Sequence, residues 1–265
     1  MRDDGPSGGK PGAGASARAG DSPIPAATIV VMRERGDGPP ELLMLERAAS
    51  LAFAGGALVF PGGRVDPGDR EWAAELPGDR DENAARLAAV RETLEEAGLA
   101  IGLAAPDEAA AAMRAWLLEG QTLAEAVARA GAKLTLDMLE PFARWLPYGL
   151  PSRVFDTRFY LARAPGTATA TPDGGENVRL FWASASALLA EADAGRATLI
   201  YPTRRNVERL ATLPSYDAAV AHALAHPIET ITPWIEQRAG AEHLCIPEGL
   251  GYPVTSEPFA VARRG

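Results

Sequence analysis

Apolar positions along this chain follow two periods. Ala26–Met32 is short, apolar and β-branched, the pattern of a buried strand. Gly36-Asp37-Gly38-Pro39-Pro40 reads as a turn, after which Glu41–Arg47 returns as a second strand and Ala57–Phe60 forms a third. The period then changes. Leu87, Val90, Leu94 and Ala97 make a helical apolar stripe, and the alanine-rich stretch from Asp107 to Ala130 reads as helical, packing through Met113, Trp116, Leu117, Leu123 and Val127. Strand patterning resumes at Phe142–Leu146, at Arg153–Ala162 and, past a turn at Asp173–Glu176, at Val178–Trp182. Helices are predicted over Ser184–Ala194, Thr203–Leu210 and Ser215–Ala225. The last forty residues are Pro-rich and read as an irregular wrap around the core. The mixture predicts an α/β fold. Residues 1–23, rich in Gly, Ala, Ser, Pro and Asp, read as a disordered tail.

Composition narrows the function classes. A chain of 265 residues can bury one substantial core with insertions. The net charge of −9 argues against a general nucleic-acid binder, which needs a basic face to replace phosphate counterions. A single cysteine, Cys245, excludes an intramolecular disulfide framework and suits a reducing cytoplasm. No apolar run approaches the roughly 20 residues of a membrane helix.

The chemistry is concentrated in Arg91-Glu92-Thr93-Leu94-Glu95-Glu96-Ala97-Gly98-Leu99. Glu92, Glu95 and Glu96 are spaced i, i+3, i+4 and share one helix face, offset from the apolar stripe. Crowded carboxylates repel unless a positive group sits among them, and hard divalent ions such as Mg²⁺ and Mn²⁺ prefer carboxylate oxygens. Upstream lies the glycine turn Phe60-Pro61-Gly62-Gly63, followed by Asp66 and Asp69. The three histidines, His222, His226 and His243, stand in the C-terminal third and give no support to a zinc site.

Strand, glycine turn and carboxylate helix together resemble the Nudix hydrolases, whose box reads G-x5-E-x7-R-E-U-x-E-E-x-G-U, with U apolar. Gly63 fills the first glycine, and Asp69 stands where the family has Glu. Twenty-one residues separate Asp69 from Arg91 where the pattern has seven, an insertion of fourteen, and Thr93 replaces the apolar U. Split boxes occur in the branch that includes the peroxisomal coenzyme A diphosphatases. The resemblance implies an α/β/α sandwich with a mixed sheet over residues 24–212. Insertions at about 70–83 and 105–132 interrupt it, and a C-terminal extension at 213–265 packs on the core. The segment Arg70–Asp81 is expected to be a surface excursion outside the catalytic helix, because Pro77-Gly78-Asp79 is a turn signal.

By the same resemblance, Glu92, Glu95 and Glu96 would hold Mg²⁺ or Mn²⁺, and Arg91 would orient them. Glu95 and, from a later loop, Glu176 are candidates for the general base; a solvated turn glutamate is the alternative for Glu176. Asp69 reads as a turn or helix-capping residue. Substrate contacts are expected from Gly62, Gly63 and Arg47. An upstream motif of coenzyme A-cleaving members, roughly L-L-T-x-R-[SA]-x3-R-x3-G-x3-F-P-G-G, is matched at Arg47, Ala48 and Gly56 and departs at Leu45 and Ala52. Further cations for an anionic substrate stand at Arg153, Arg158, Arg204 and Arg205. The implied function is hydrolysis of a diphosphate bond in a nucleoside diphosphate-X compound, with coenzyme A as one substrate. ADP-ribose, NADH or a dinucleotide, or a non-catalytic nucleotide-binding module, are the alternatives. The implied partner is a small-molecule diphosphate, with no nucleic acid and no membrane, and a homodimer is one assembly open to it.

Overall fold

Strand β1 (Ile24–Arg33) has both of its faces covered. Ala27, Ile29 and Val31 point into one apolar cluster and Val30 and Met32 into another, as alternation along a strand requires. The structure is a computed structural model that describes residues 22–36, 38–49, 54–106, 108–147, 154–166, 170–171 and 177–262. Most of the proposed tail, and the residues Ala52, Arg153 and Glu176, lie outside them.

From β1 the chain returns as β2 (Glu41–Arg47) and β3 (Leu58–Val59), then enters β4 (Gly62–Arg64), which pairs antiparallel with Ala26–Thr28 of β1. The glycines expected to form only a turn are therefore strand residues. A Cβ at Gly62 would stand 2.4 Å from the Ala27 carbonyl oxygen, so a side chain there would push β4 off β1. Helix α1 (Pro67–Ala73) and helix α2 (Arg80–Ala97) follow. The Asp79 carboxylate caps α2 by accepting from the Glu82 N–H at 2.8 Å, and Gly98 ends it at φ 69°.

The expectation for Arg70–Asp81 holds in part: residues 70–79 lie outside α2 and most of the segment is exposed, but Arg70–Ala73 complete α1 and Arg80 and Asp81 already open α2 after the Gly78 turn. Ala84, Ala85 and Ala88 continue the buried stripe of Leu87, Val90 and Leu94 towards the N-terminus, and small side chains at those positions hide that continuity in a hydrophobicity pattern.

Past β5 (Leu103–Ala104) the alanine-rich stretch is two helices, α3 (Ala109–Leu118) and α4 (Leu123–Ala130). Gly120 at φ 91° breaks it, and α4 restarts in a capping box between Thr122 and Glu125. β6 (Lys133–Leu134) pairs with β5, and β7 (Glu140–Trp145), β8 (Phe155–Arg163) and β9 (Asn177–Ser184) return to the main sheet. That sheet runs β10 (Thr230–Ile231), β7, β8, β1, β2, β3, with β4 on β1 and β9 on β2. β1 and β8 are parallel, as are β10 and β7, and the other pairs are antiparallel, so the sheet is mixed.

Helices α1 to α4 cover one face. Helices α5 (Ala185–Asp193), α6 (Tyr201–Ala211) and α7 (Tyr216–Leu224) cover the other, giving an α/β/α sandwich. Instead of an irregular wrap, the last residues form an antiparallel sheet of β11 (Trp234–Arg238), β12 (Ala241–Cys245) and β13 (Ser256–Pro258), then α8 (Phe259–Ala262). The β11–β12 turn uses Ala239 at φ 50° before Gly240 at φ 82°, and alanine in that conformation is not a hairpin signal a sequence offers. Leu244, Ile246, Leu250 and Tyr252 bury in the same cluster as α6 and α7. Among the described residues, no helix is long and apolar enough to cross a membrane.

Candidate active site

The site is where α2 passes β4. Gly62 donates its N–H to Glu96 Oε2 at 2.9 Å, fixing the last turn of the helix against the strand. Gly63 lies under Glu92: a Cβ there would meet Glu92 Oε1 at 2.3 Å, so only glycine lets that carboxylate rest on the backbone. Both glycines serve proximity between strand and helix acids.

Arg91 organises the acids. Its guanidinium is buried and donates to Asp69 through Nη2 at 3.0 Å and Nε at 3.2 Å, to Glu92 Oε1 at 2.9 Å, and to the Arg64 carbonyl at 2.9 Å. Glu95 Oε1 stands at 3.5 Å and Asp66 Oδ2 at 3.6 Å. Burial alone would lower the arginine's pKa; the hydrogen bonds to Asp69 and the charges of Glu92 and Glu95 outweigh it and hold the group protonated. Asp69 does two things with one carboxylate. As the third residue of α1 it accepts the Asp66 N–H at 2.9 Å, and it pins Arg91. The fourteen-residue insertion thus leaves the two halves of the box in contact, because α1 and α2 fold back on one another across the Gly78 turn.

Four carboxylates (Asp66, Asp69, Glu92 and Glu95) surround this one guanidinium, and Glu96 stands beside them on the same helix face, accepting from Gly62. Burial first, and then the Glu95 charge, push the Glu92 carboxyl up to about 7 against the pull of Arg91. Burial likewise raises Glu95. Among the described residues no three acids already converge as a metal cage, since Arg91 sits between Glu92 and Glu95 and Glu96 is turned onto Gly62. The donors are nonetheless all hard oxygens on one helix face, with more negative charge than Arg91 neutralises. That donor set fits Mg²⁺ or Mn²⁺.

Arg47 is placed apart from this cluster, on the strand beyond β1. Its N–H donates to the Ala57 carbonyl at 3.1 Å and its own carbonyl accepts from Gly56 at 3.0 Å, closing the hairpin between β2 and β3. Three of the other candidate cations serve the fold: Arg158 pairs with Glu82 at 3.2 Å, Arg204 with Asp193 at 2.6 Å, and Arg205 is buried with Glu208 and Glu257. The contribution of Asp66, exposed and one residue before α1, had no signal in the box pattern.

The chain is similar to the crystal structure of a Nudix hydrolase from Alicyclobacillus acidocaldarius, at 26% identity and a TM-score of 0.67, over 76% of this chain and 96% of that one. More distant likenesses are the MutT protein of Methanosarcina mazei (16% identity, TM-score 0.43, 73% of this chain and 97% of that one) and the Nudix domain of Shewanella oneidensis NrtR complexed with ADP ribose (12%, 0.40, 73% and 90%). No protein-family model matches the chain. Fold, box residues and the first of these likenesses together identify the chain as a Nudix-type hydrolase.

Proposed function

We propose that the chain hydrolyses a diphosphate bond in a small nucleoside diphosphate-X compound, with Mg²⁺ or Mn²⁺ held by Glu92, Glu95 and Glu96. The observation that carries this is the carboxylate face of α2 packed against Gly62 and Gly63, with Arg91 clamped behind it by Asp69. A divalent ion bound there supplies charge neutralisation for the phosphates and a more acidic water. The protein's own groups do the rest. Arg91 keeps the three carboxylates in one orientation. Gly62 holds Glu96 in place, and Gly63 leaves the room in which the Glu92 carboxylate rests on the backbone. Glu95 is the candidate base for the proton of the attacking water, supported by a contact to Arg91 longer than that of Glu92 and by burial that raises its pKa; Glu176, the other candidate, lies outside the described residues.

Coenzyme A is the first substrate to test. The match at Arg47 and Gly56 supports it, and a main-chain hydrogen bond from the Gly56 N–H to the Arg47 carbonyl keeps the two residues adjacent in the hairpin. ADP-ribose, NADH and dinucleotides belong to the same bond class. The reading includes a cytoplasmic setting and allows a homodimer. The test is a Mg²⁺/Mn²⁺ activity screen over coenzyme A, ADP-ribose, NADH, a dinucleoside polyphosphate and dGTP, with Glu96→Gln as control. Metal-dependent cleavage of a diphosphate compound, abolished in the control, is expected. A clear preference for ADP-ribose, NADH or dGTP would overturn the coenzyme A reading and leave the diphosphatase mechanism standing; cleavage of none of the five would overturn the function, and activity surviving Glu96→Gln would overturn the site.

A further inference from the structure

The catalytic helix ends without a positive group of its own. The last carbonyls of any helix lack intrahelical partners, and their dipoles sum to a partial negative charge. In α2 that end coincides with Glu95 and Glu96, and the last turn contains no basic residue. The cation comes from outside the box. Arg114, in α3 of the helical insertion, donates from Nε to the Glu95 carbonyl at 2.8 Å and from Nη2 towards the Glu96 carbonyl at 3.4 Å. Its Nη1 donates to the Thr171 hydroxyl at 2.8 Å, and the Thr171 N–H donates to the Ala97 carbonyl at 3.0 Å. Three successive carbonyls, those of residues 95, 96 and 97, are thereby taken by two residues distant in sequence.

Gly98 is shaped to admit them. It turns at φ 69°, and a Cβ there would stand 3.0 Å from Thr171 Oγ1 and 3.2 Å from Arg114 Nη1. The box glycine therefore ends the helix and also leaves the channel through which the insertion reaches it. Because each carbonyl shares its Cα with a side chain, fixing the backbone of residues 95 and 96 fixes the point and the Cα–Cβ direction from which their side chains start, and Arg91 and Gly62 then set the carboxylates. The guanidinium also offsets the negative helix end beside an already acidic site.

We propose that Arg114 is a positioning residue for the Glu95–Glu96 pair, and that the helical insertion, through the backbone, works with Arg91 and Gly62 to hold these carboxylates in their working geometry. The inference rests on the assignment of Glu95 and Glu96 as cation ligands, and the experiment separates the two. Mn²⁺ alone is titrated into the full chain by calorimetry, for wild type, Glu96→Gln, Arg114→Met and Arg114→Lys, alongside thermal melts, amide hydrogen exchange and kinetics on the best substrate. If wild type binds no Mn²⁺, or Glu96→Gln binds it equally well, the ligand assignment fails and this inference falls with it.

With that assignment standing, Arg114→Met is expected to weaken Mn²⁺ binding about tenfold. It should lower kcat at saturating metal by a similar factor, leave KM within about twofold, and speed exchange at the amides of residues 98–100. Arg114→Lys, which keeps the charge and one donor, should recover part of the loss. Wild-type Mn²⁺ affinity and kcat in Arg114→Met, whatever its melting temperature, would confine Arg114 to holding α3 against α2 and overturn the proposal. Should Arg114→Met fail to fold, unchanged Mn²⁺ affinity in Arg114→Lys overturns it equally.

Discussion

Asp69→Asn separates the two tasks that one buried carboxylate performs. The amide keeps an oxygen that can accept the Asp66 N–H, so the start of α1 is preserved, but it loses the charge facing Arg91 and turns an NH₂ group towards a donor. Asp69 is 3% exposed and Arg91 8%, so solvent does little to compensate. Removing one partner of a buried pair costs about 3–5 kcal/mol when nothing else meets the stranded charge. Here Arg91 keeps Glu92 at 2.9 Å, Glu95 at 3.5 Å and the Arg64 carbonyl at 2.9 Å, which places the loss at roughly 2–3 kcal/mol. For a chain of this size that lowers Tm by about 5–10 °C. Melts in EDTA at pH 7.5 measure it. Asp66→Asn is the comparison: that side chain is 56% exposed and 3.6 Å from Arg91, the amide can still cap α1, and loss of its charge should cost no more than about 0.5 kcal/mol. Asp69→Asn should also weaken Mg²⁺-dependent turnover, because an arginine released from Asp69 competes more fully for Glu92 and Glu95. A melting temperature within 2 °C of wild type in this experiment would show that the clamp across the insertion holds nothing.

Glu96→Gln keeps an acceptor for the Gly62 N–H and removes the charge, so kcat should fall on the order of 10²-fold or more with metal-free stability unchanged or raised; near wild-type turnover sinks the ligand assignment. Arg47→Ala should raise KM for a coenzyme A substrate more than it lowers kcat, by roughly 1–3 kcal/mol of binding, and an unchanged KM would remove Arg47 from the substrate site. His222 accepts from Arg209 through Nδ1, and burial first, then the Arg209 charge, hold it down to about 4. Its folded pKa lies below the unfolded value, so the unfolded chain takes up the proton first and stability is lost as pH falls from about 6.5 towards 4. The ring is only partly buried, which limits the effect to about 1 kcal/mol. His222→Gln should lose correspondingly less stability than wild type between pH 7 and 5 in denaturant titrations, and identical losses would show that His222 contributes nothing.

The sequence was legible where one residue type has one physical use, and opaque where a contact is made across the fold. β1 is an apolar, β-branched run and β2 an apolar run of Leu and Met between charged ends, and the structure places both within two residues of the pattern. Glu92, Glu95 and Glu96 stand out only together with the glycine pair upstream, since acids at a helix end are usually solvated, and the structure does bring Glu92 and Glu96 against Gly63 and Gly62. Asp69 was harder: its short side chain and the interrupted box suggested capping alone, which it does perform, while its second partner lies twenty-two residues ahead and becomes visible only when α1 and α2 are folded together. The same limit hid the extent of α2. Ala84, Ala85 and Ala88 are buried through helix–sheet proximity, and alanine carries too little hydrophobic signal to mark a face by itself.

Arg114 shows the limit most clearly. Within α3 it is one polar residue among alanines, and its spacing from Met113 and Leu117 suggests a solvated position. What gives it a task is the end of another helix, which has carbonyls to satisfy and carboxylates to hold. The box encodes the acids and the glycine that makes room. The residue that occupies that room comes from an insertion no box pattern includes, so the geometry of a site written in nine consecutive residues depends on a helix outside them.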